Sequence, residues 1–159
     1  MASRFWVGGT DNWDASTTTH WSATTGGAGG TSVPSLADAV IFDTNSGTAA
    51  TVTVTAAANA LSISINKSDL TLATGAYAIT IAGTGTVWAM IAGSFAASTS
   101  TILISDTTPA TKTFAGGGKT YSNLTIADPD GKVTALTITG ANTFNTLTVP
   151  PGTSLTLPA

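Results

Sequence analysis

The side chains that could do chemistry are concentrated near one end of the chain. Within "RFWVGGTDNWDASTTTHW", residues 4–21, lie the single histidine, His20, two carboxylates, Asp11 and Asp14, and three of the four tryptophans, Trp6, Trp13 and Trp21. A histidine with carboxylates is the raw material of general acid–base catalysis, and sugar hydrolysis generally needs two carboxylates across a cleft. Asp11 and Asp14 instead flank Trp13 in a Gly/Thr/Ser-rich setting where aspartate serves turns, and His20 sits beside Trp21. That pattern argues for a packed or solvated histidine, so no catalytic residue is assigned. Trp6, Trp13, His20 and Trp21 are expected to be packing residues or contacts to a ligand or partner. As packing residues they would form a lid over a hydrophobic core; as exposed rings they would stack on sugars.

Two further motifs read as turns. "AGGGKT" (115–120) has the ending of a phosphate-binding loop, but Thr113 stands where its first glycine belongs. A strand-like "YSNLTI" also follows where a helix must open. "DPDGK" (128–132) spaces Asp128 and Asp130 like the first ligands of a calcium loop, yet no acidic residue follows Asp130, and calcium takes six to eight oxygens. "NKS" (66–68) and "NLT" (123–125) match the glycosylation sequon, which has no weight without export. No metal and no cofactor is expected.

The elements that must position these residues are strands. The 159-residue chain has no glutamate, glutamine or cysteine, and only 8% of it is charged. Threonine, alanine and glycine dominate, which favours strand and turn over helix. The absence of cysteine excludes disulfides, thiolate zinc sites and a cysteine nucleophile. Eight aspartates against Arg4 and four lysines give a net charge of −3, with no basic footprint for nucleic acid or an anionic membrane. No stretch approaches the ~18 apolar residues of a membrane span; the longest apolar run is Val87 to Ala92. Residues 1–13 also lack the ~7–15-residue apolar core of a secretory signal, so synthesis without export is expected.

From residue 51 onward, short segments alternate aliphatic residues with threonine or serine: "TVTVT", "LSISI", "AITIA", "TILIS", "NLTIA", "ALTIT", "TLTVP" and "SLTLP". Period two marks strands with one buried face. "TYSNLTIA" (120–127) and "TFNTLTVP" (143–150) echo one another, as "NALSIS" (59–64) does more briefly. Self-similarity at roughly 20–30 residues is the mark of stacked coils. The predicted fold is all-β, a parallel β-solenoid with an N-terminal Trp-rich cap; an antiparallel sandwich or jelly roll is the alternative. Residues 1–48 are read as the cap or docking segment and 49–159 as the repeat region. Leu61, Ile63, Ile79, Ile81, Leu124, Ile126, Leu136, Ile138, Leu147 and Val149 are expected to face the core.

The opening stretch resembles the N-terminal motif of a group of tailed-bacteriophage virion proteins. The matching steps are Trp6 to Gly9, Asn12 to Asp14, Trp21-Ser22, Gly26 to Gly30, Val33-Pro34 and the strand Asp38 to Asp43. Ala39-Val40-Ile41 is a small variation within that strand. "GGGKTYSNLTI" and "ITGANTFNTLTV" are similar to the β-helical parts of the same proteins. A looser form of the motif introduces the repeats of bacterial surface adhesins and autotransporters. The resemblance implies a non-enzymatic virion component found with other virion proteins, as a homotrimer, and no nucleic-acid or membrane partner. Within that class two roles compete. One is a decoration or cement protein bound to the major capsid protein on the head surface. The other is a tail fibre or spike component, for which a host-surface glycan is the partner; an adhesin or glycan-binding module is the further alternative. Met1 directly before the motif, without an export signal, fits a virion protein made in the host cytoplasm.

Overall fold

The computed structural model describes residues 1–105, 110–127 and 131–158. Among these, the chain runs through seventeen strands and one short 3-10 turn. The strands are β1 (Ala2–Trp6), β2 (Asp11–Trp13), β3 (Trp21–Ser22), β4 (Asp38–Phe42), β5 (Thr51–Val54) and β6 (Ala58–Ala60). They continue with β7 (Ser62–Ile65), β8 (Thr71–Gly75), β9 (Ile79–Ile81), β10 (Gly85–Met90), β11 (Ser94–Ala97) and β12 (Thr101–Ser105). The last are β13 (Ala110–Ala115), β14 (Thr120–Ala127), β15 (Val133–Thr139), β16 (Thr143–Thr148) and β17 (Ser154–Thr156).

The strands stack into three sheets. The first has the order β17-β15-β13-β10-β7-β4-β1-β3, the second β11-β8-β5-β2 and the third β16-β14-β12-β9-β6. Every pairing is parallel except β1 with β3. From β4 onward, strands of the first sheet begin at Asp38, Ser62, Gly85, Ala110, Val133 and Ser154, 21 to 25 residues apart. Each interval is one turn of a β-solenoid of about five turns, and the parallel ladders exclude the antiparallel sandwich.

The period-two pattern explains the core. In the first sheet Val40, Ile63, Trp88, Phe114 and Ile138 lie in register from strand to strand, all buried. In the third, Ile79, Ile102 and Leu124 form one column and Ile81, Ile104 and Ile126 another. Thr80, Thr125 and Ser64, at the alternate positions, face outward and are only partly covered. Of the expected core residues, Ile63, Ile79, Ile81, Leu124, Ile126, Leu136 and Ile138 are buried. Leu61 is only half-buried, because it sits at the corner between β6 and β7 and the strand starts at Ser62. Leu147 and Val149 are also only partly covered, because β16 is the last strand of its sheet.

The solenoid changes cross-section along its length. Its second sheet stops at β11, and from β13 the chain turns through Gly116 to Lys119 directly into β14 of the third sheet. Gly117 and Gly118 in that turn have φ of 64° and 70°, which glycine adopts without a Cβ penalty. "AGGGKT" is therefore a turn between strands. The "DPDGK" aspartates, Asp128 and Asp130, lie outside the described residues. At the other end, β1 and β2 belong to the first and second sheets, so part of the Trp-rich segment is itself a coil. The division expected at residue 48 falls between β4 and β5, within one turn of the solenoid.

Candidate functional site

The residues singled out near the N-terminus converge. Strand β3 folds back antiparallel on β1, pairing Phe5 with Ser22 and Trp6 with Trp21. Trp13 arrives from the second sheet on β2, which pairs with β5. Trp6 and Trp21 meet edge-on with ring centroids 5.0 Å apart, and Trp13 and Trp21 at 5.2 Å. Phe42, at the end of β4, lies 6.1 to 6.4 Å from all three. These are the tilted and T-shaped geometries that aromatic quadrupoles favour. The three tryptophans are at most 2% exposed, so no indole face is open for a sugar ring to stack on.

Most polar groups around this cluster are matched; the exception among the described residues is the buried Thr31 hydroxyl, which has no hydrogen-bond partner although the Thr31 N–H donates to the Trp21 carbonyl at 3.1 Å. The Trp6 indole N–H donates to the Gly9 carbonyl at 2.9 Å. The buried Ser46 hydroxyl donates to the Trp6 carbonyl at 3.0 Å and accepts from the Asp43 N–H at 3.0 Å. Arg4 pairs with Asp38 at 3.4 Å, and Ser35 donates to Asp38 through both its N–H and its hydroxyl. Burial raises the Asp38 pKa, but the Ser35 hydrogen bonds and the Arg4 charge outweigh it and hold the carboxyl below its ordinary value.

The glycines of the motif have a physical reason. A Cβ on Gly8 would lie 2.9 Å from both the His20 ring and the Trp6 ring. A Cβ on Gly29 would fall on the Thr19 carbonyl oxygen. The Gly-rich loop thus passes directly against the 3-10 turn Thr18–His20, and the Gly30 N–H reaches the Thr18 carbonyl at 3.0 Å.

His20 packs against Trp6 at 5.1 Å. Its Nδ1 lies 3.1 Å from the Asn12 carbonyl oxygen and its Nε2 3.2 Å from Asp11 Oδ2. Both ring nitrogens therefore lie against oxygen atoms of strand β2. Asp14 takes no part in that pair. It accepts from the N–H groups of Ser16 and Thr17 at 2.7 and 2.6 Å and from the Thr17 hydroxyl at 2.6 Å. The Thr17 and Ser16 hydrogen bonds, which favour the charged form, lower its pKa to about 2. Trp6, Trp13, His20 and Trp21 are thus brought together, with Asp11 on the rim and Asp14 turned to its own loop. Among the described residues, no three His, Cys, Asp or Glu side chains converge as a metal site.

Two features escaped the reading of the sequence. A second aromatic cluster lies midway along the solenoid: Trp88 stacks on Phe114 at 5.6 Å, and Tyr121 meets Phe114 edge-on at 4.9 Å. The Tyr121 hydroxyl donates to the Gly116 carbonyl at 2.7 Å and accepts from the Trp88 indole N–H at 3.1 Å. Burial raises its pKa, outweighing the Trp88 hydrogen bond. The other feature is Lys112, whose side chain is buried and whose ammonium donates to the Gly83 carbonyl. It stands two residues before Phe114 on β13, so the alternation itself assigns it to the inner face.

No family model, no curated protein and no solved structure matches the chain.

Proposed function

We propose that the protein is a non-enzymatic bacteriophage virion component, a decoration or cement protein on the head surface. The observation that carries this reading is the buried tryptophan lid on a charge-poor solenoid. The motif that resembles virion proteins is built as a lid, with its tryptophans spent on packing. The engaged nitrogens of His20 and the local bonds of Asp14 support a structural use of the polar residues as well. The outward threonines and serines form a nearly neutral surface. Association with the major capsid protein, and within a homotrimer, then rests on shape and apolar burial with weak salt dependence.

A tail fibre or spike component is the second reading, favoured by the parallel stacking of the coils along one axis. A glycan-binding module fits least, since it calls for exposed rings. Co-sedimentation of the purified protein with separated heads and tails distinguishes the roles. Saturable binding to heads is expected; binding to tails alone, or to neither, overturns the decoration role.

A further inference from the structure

The outer faces of the three sheets are alike in charge and differ in size and relief. On the strands of the first sheet the charged residues are Arg4, Asp38 and Lys112, and each takes an inward position. Arg4 pairs with Val40, Asp38 stands two residues before Val40, and Lys112 stands two before Phe114. The outward positions carry no charge. Across them Phe5, Ile41, Ser64, Ala89 and Ala115 lie in register from β1 through β4, β7 and β10 to β13. The neighbouring outer column, from Ser3 to Thr137, holds only serine, alanine and threonine. Phe5 and Ile41 stand outside the buried core and are partly exposed. The face therefore has a raised end, formed by a phenyl ring and a branched aliphatic chain, and a low end formed by two methyl groups.

We propose that the outer face of the first sheet is a self-association surface, on which a second copy of the chain packs face to face with its solenoid axis reversed. The relief selects this partner, because the face is complementary to itself. A two-fold axis parallel to the strands and passing Ser64 lays β1 over the partner's β13 and β4 over the partner's β10. Phe5 then meets Ala115, Ile41 meets Ala89, and Ser64 meets its own copy. Each raised end fills the other copy's low end. Neutrality lets two identical faces approach without like-charge repulsion, and depletion of charge is the mark of an interface core.

Area separates this face from the other two. Strands lie ~4.8 Å apart and five residues of strand span ~17 Å, so the seven strands from β15 to β3 present roughly 500 Å² per copy, or ~1,000 Å² in all. That reaches the ~1,000 Å² that a specific interface should clear, at the low end of the range, so the pairing is expected to depend on concentration. The second and third sheets, with four and five strands, present less. The pairing does not rest on the virion reading, and it doubles whatever unit the chain forms through its other surfaces.

The test measures mass by multi-angle light scattering from low micromolar to several hundred micromolar protein. Ile41→Lys and Ser64→Lys each put a charge on the face, and Thr80→Lys puts one on the outer face of the third sheet. Ile41→Lys/Ala89→Asp sets opposite charges across the pair in the proposed register. Thermal melting checks that each variant is folded, and Ser64→Lys carries the comparison should Ile41→Lys fail to fold. At high concentration the wild type and Thr80→Lys are expected to approach twice the mass of the two single variants, and Ile41→Lys/Ala89→Asp to regain the doubling. A wild-type mass equal to that of both single variants at every concentration, a doubling that both leave intact, or a folded Ile41→Lys/Ala89→Asp variant that stays undoubled overturns the proposal. So does an undoubled wild type whose binding to purified heads is weakened by Ile41→Lys, a result that assigns the face to a capsid partner.

Discussion

Replacing Trp21 with alanine tests the lid most sharply. The ring is 1% exposed and touches Trp6, Trp13 and Phe42, so its removal leaves a cavity bounded by three aromatic rings that cannot close over it together. Truncating a buried tryptophan costs ~3–5 kcal/mol, including the transfer and cavity contributions. For a chain of this size 1 kcal/mol shifts Tm by ~2–4 °C, so a fall of roughly 6–20 °C is expected if the solenoid melts as one unit. A solenoid is coupled coil to coil, so the loss should also be local: β1, β2 and β4 lose amide protection before β13 to β15 do. Calorimetry with residue-resolved hydrogen exchange reads both effects. A Tm within 2 °C of wild type, together with tryptophan fluorescence freely quenched by acrylamide and responsive to host polysaccharide, would refute the lid and support a sugar-binding face.

Other expectations follow from single contacts. Gly8→Ala drives a methyl into the His20 and Trp6 rings and should destabilise the fold by ~1–3 kcal/mol in denaturant titration. Lys112→Met leaves the buried Gly83 carbonyl without that donor and should cost ~1–3 kcal/mol, whereas a neutral result would show that the carbonyl finds another donor. Asp14 has a depressed pKa of about 2, so its stabilising contribution is complete above its unfolded value of ~3.9 and lost as pH falls through 2. The Tm deficit of Asp14→Asn should therefore be present at neutral pH and vanish near pH 2; a constant deficit refutes the assignment. His20→Ala should leave binding to virion particles intact, and any loss of a polysaccharide-cleaving activity in that variant would expose a catalytic role.

Alternation made most of the core legible, because a strand with one buried face leaves its period in the sequence. Ile79 and Ile81, or Leu124 and Ile126, are placed by that rule alone. Leu61 was misplaced because the period says nothing about where a coil turns its corner. Leu147 and Val149 satisfy the pattern but lack a covering coil, a property of position in the stack and not of local sequence. Thr74 and Ser100 depart from the rule that threonine and serine face outward: Thr74 takes an inner position of β8, two residues after Leu72, Ser100 lies just before β12, and their buried hydroxyls lie 2.6 Å apart and satisfy one another.

Lys112 obeys the alternation, but its charge argues for the surface until a buried partner is known. The glycine turn at 116–119 was legible as a turn. That it replaces a strand of the second sheet was not, because the two strands it joins look alike in sequence. The Trp cluster was legible as a cluster; its burial depended on β3 turning back over β1, which no local pattern encodes.

The proposal of a decoration protein on a phage head is tested most directly by cryo-electron microscopy of virions purified from the source of the chain. The account predicts density for a solenoid of about five turns on the outer surface of the head, in contact with the major capsid protein and with its tryptophan lid closed. Density confined to the tail, or virions that lack the protein altogether, would contradict it.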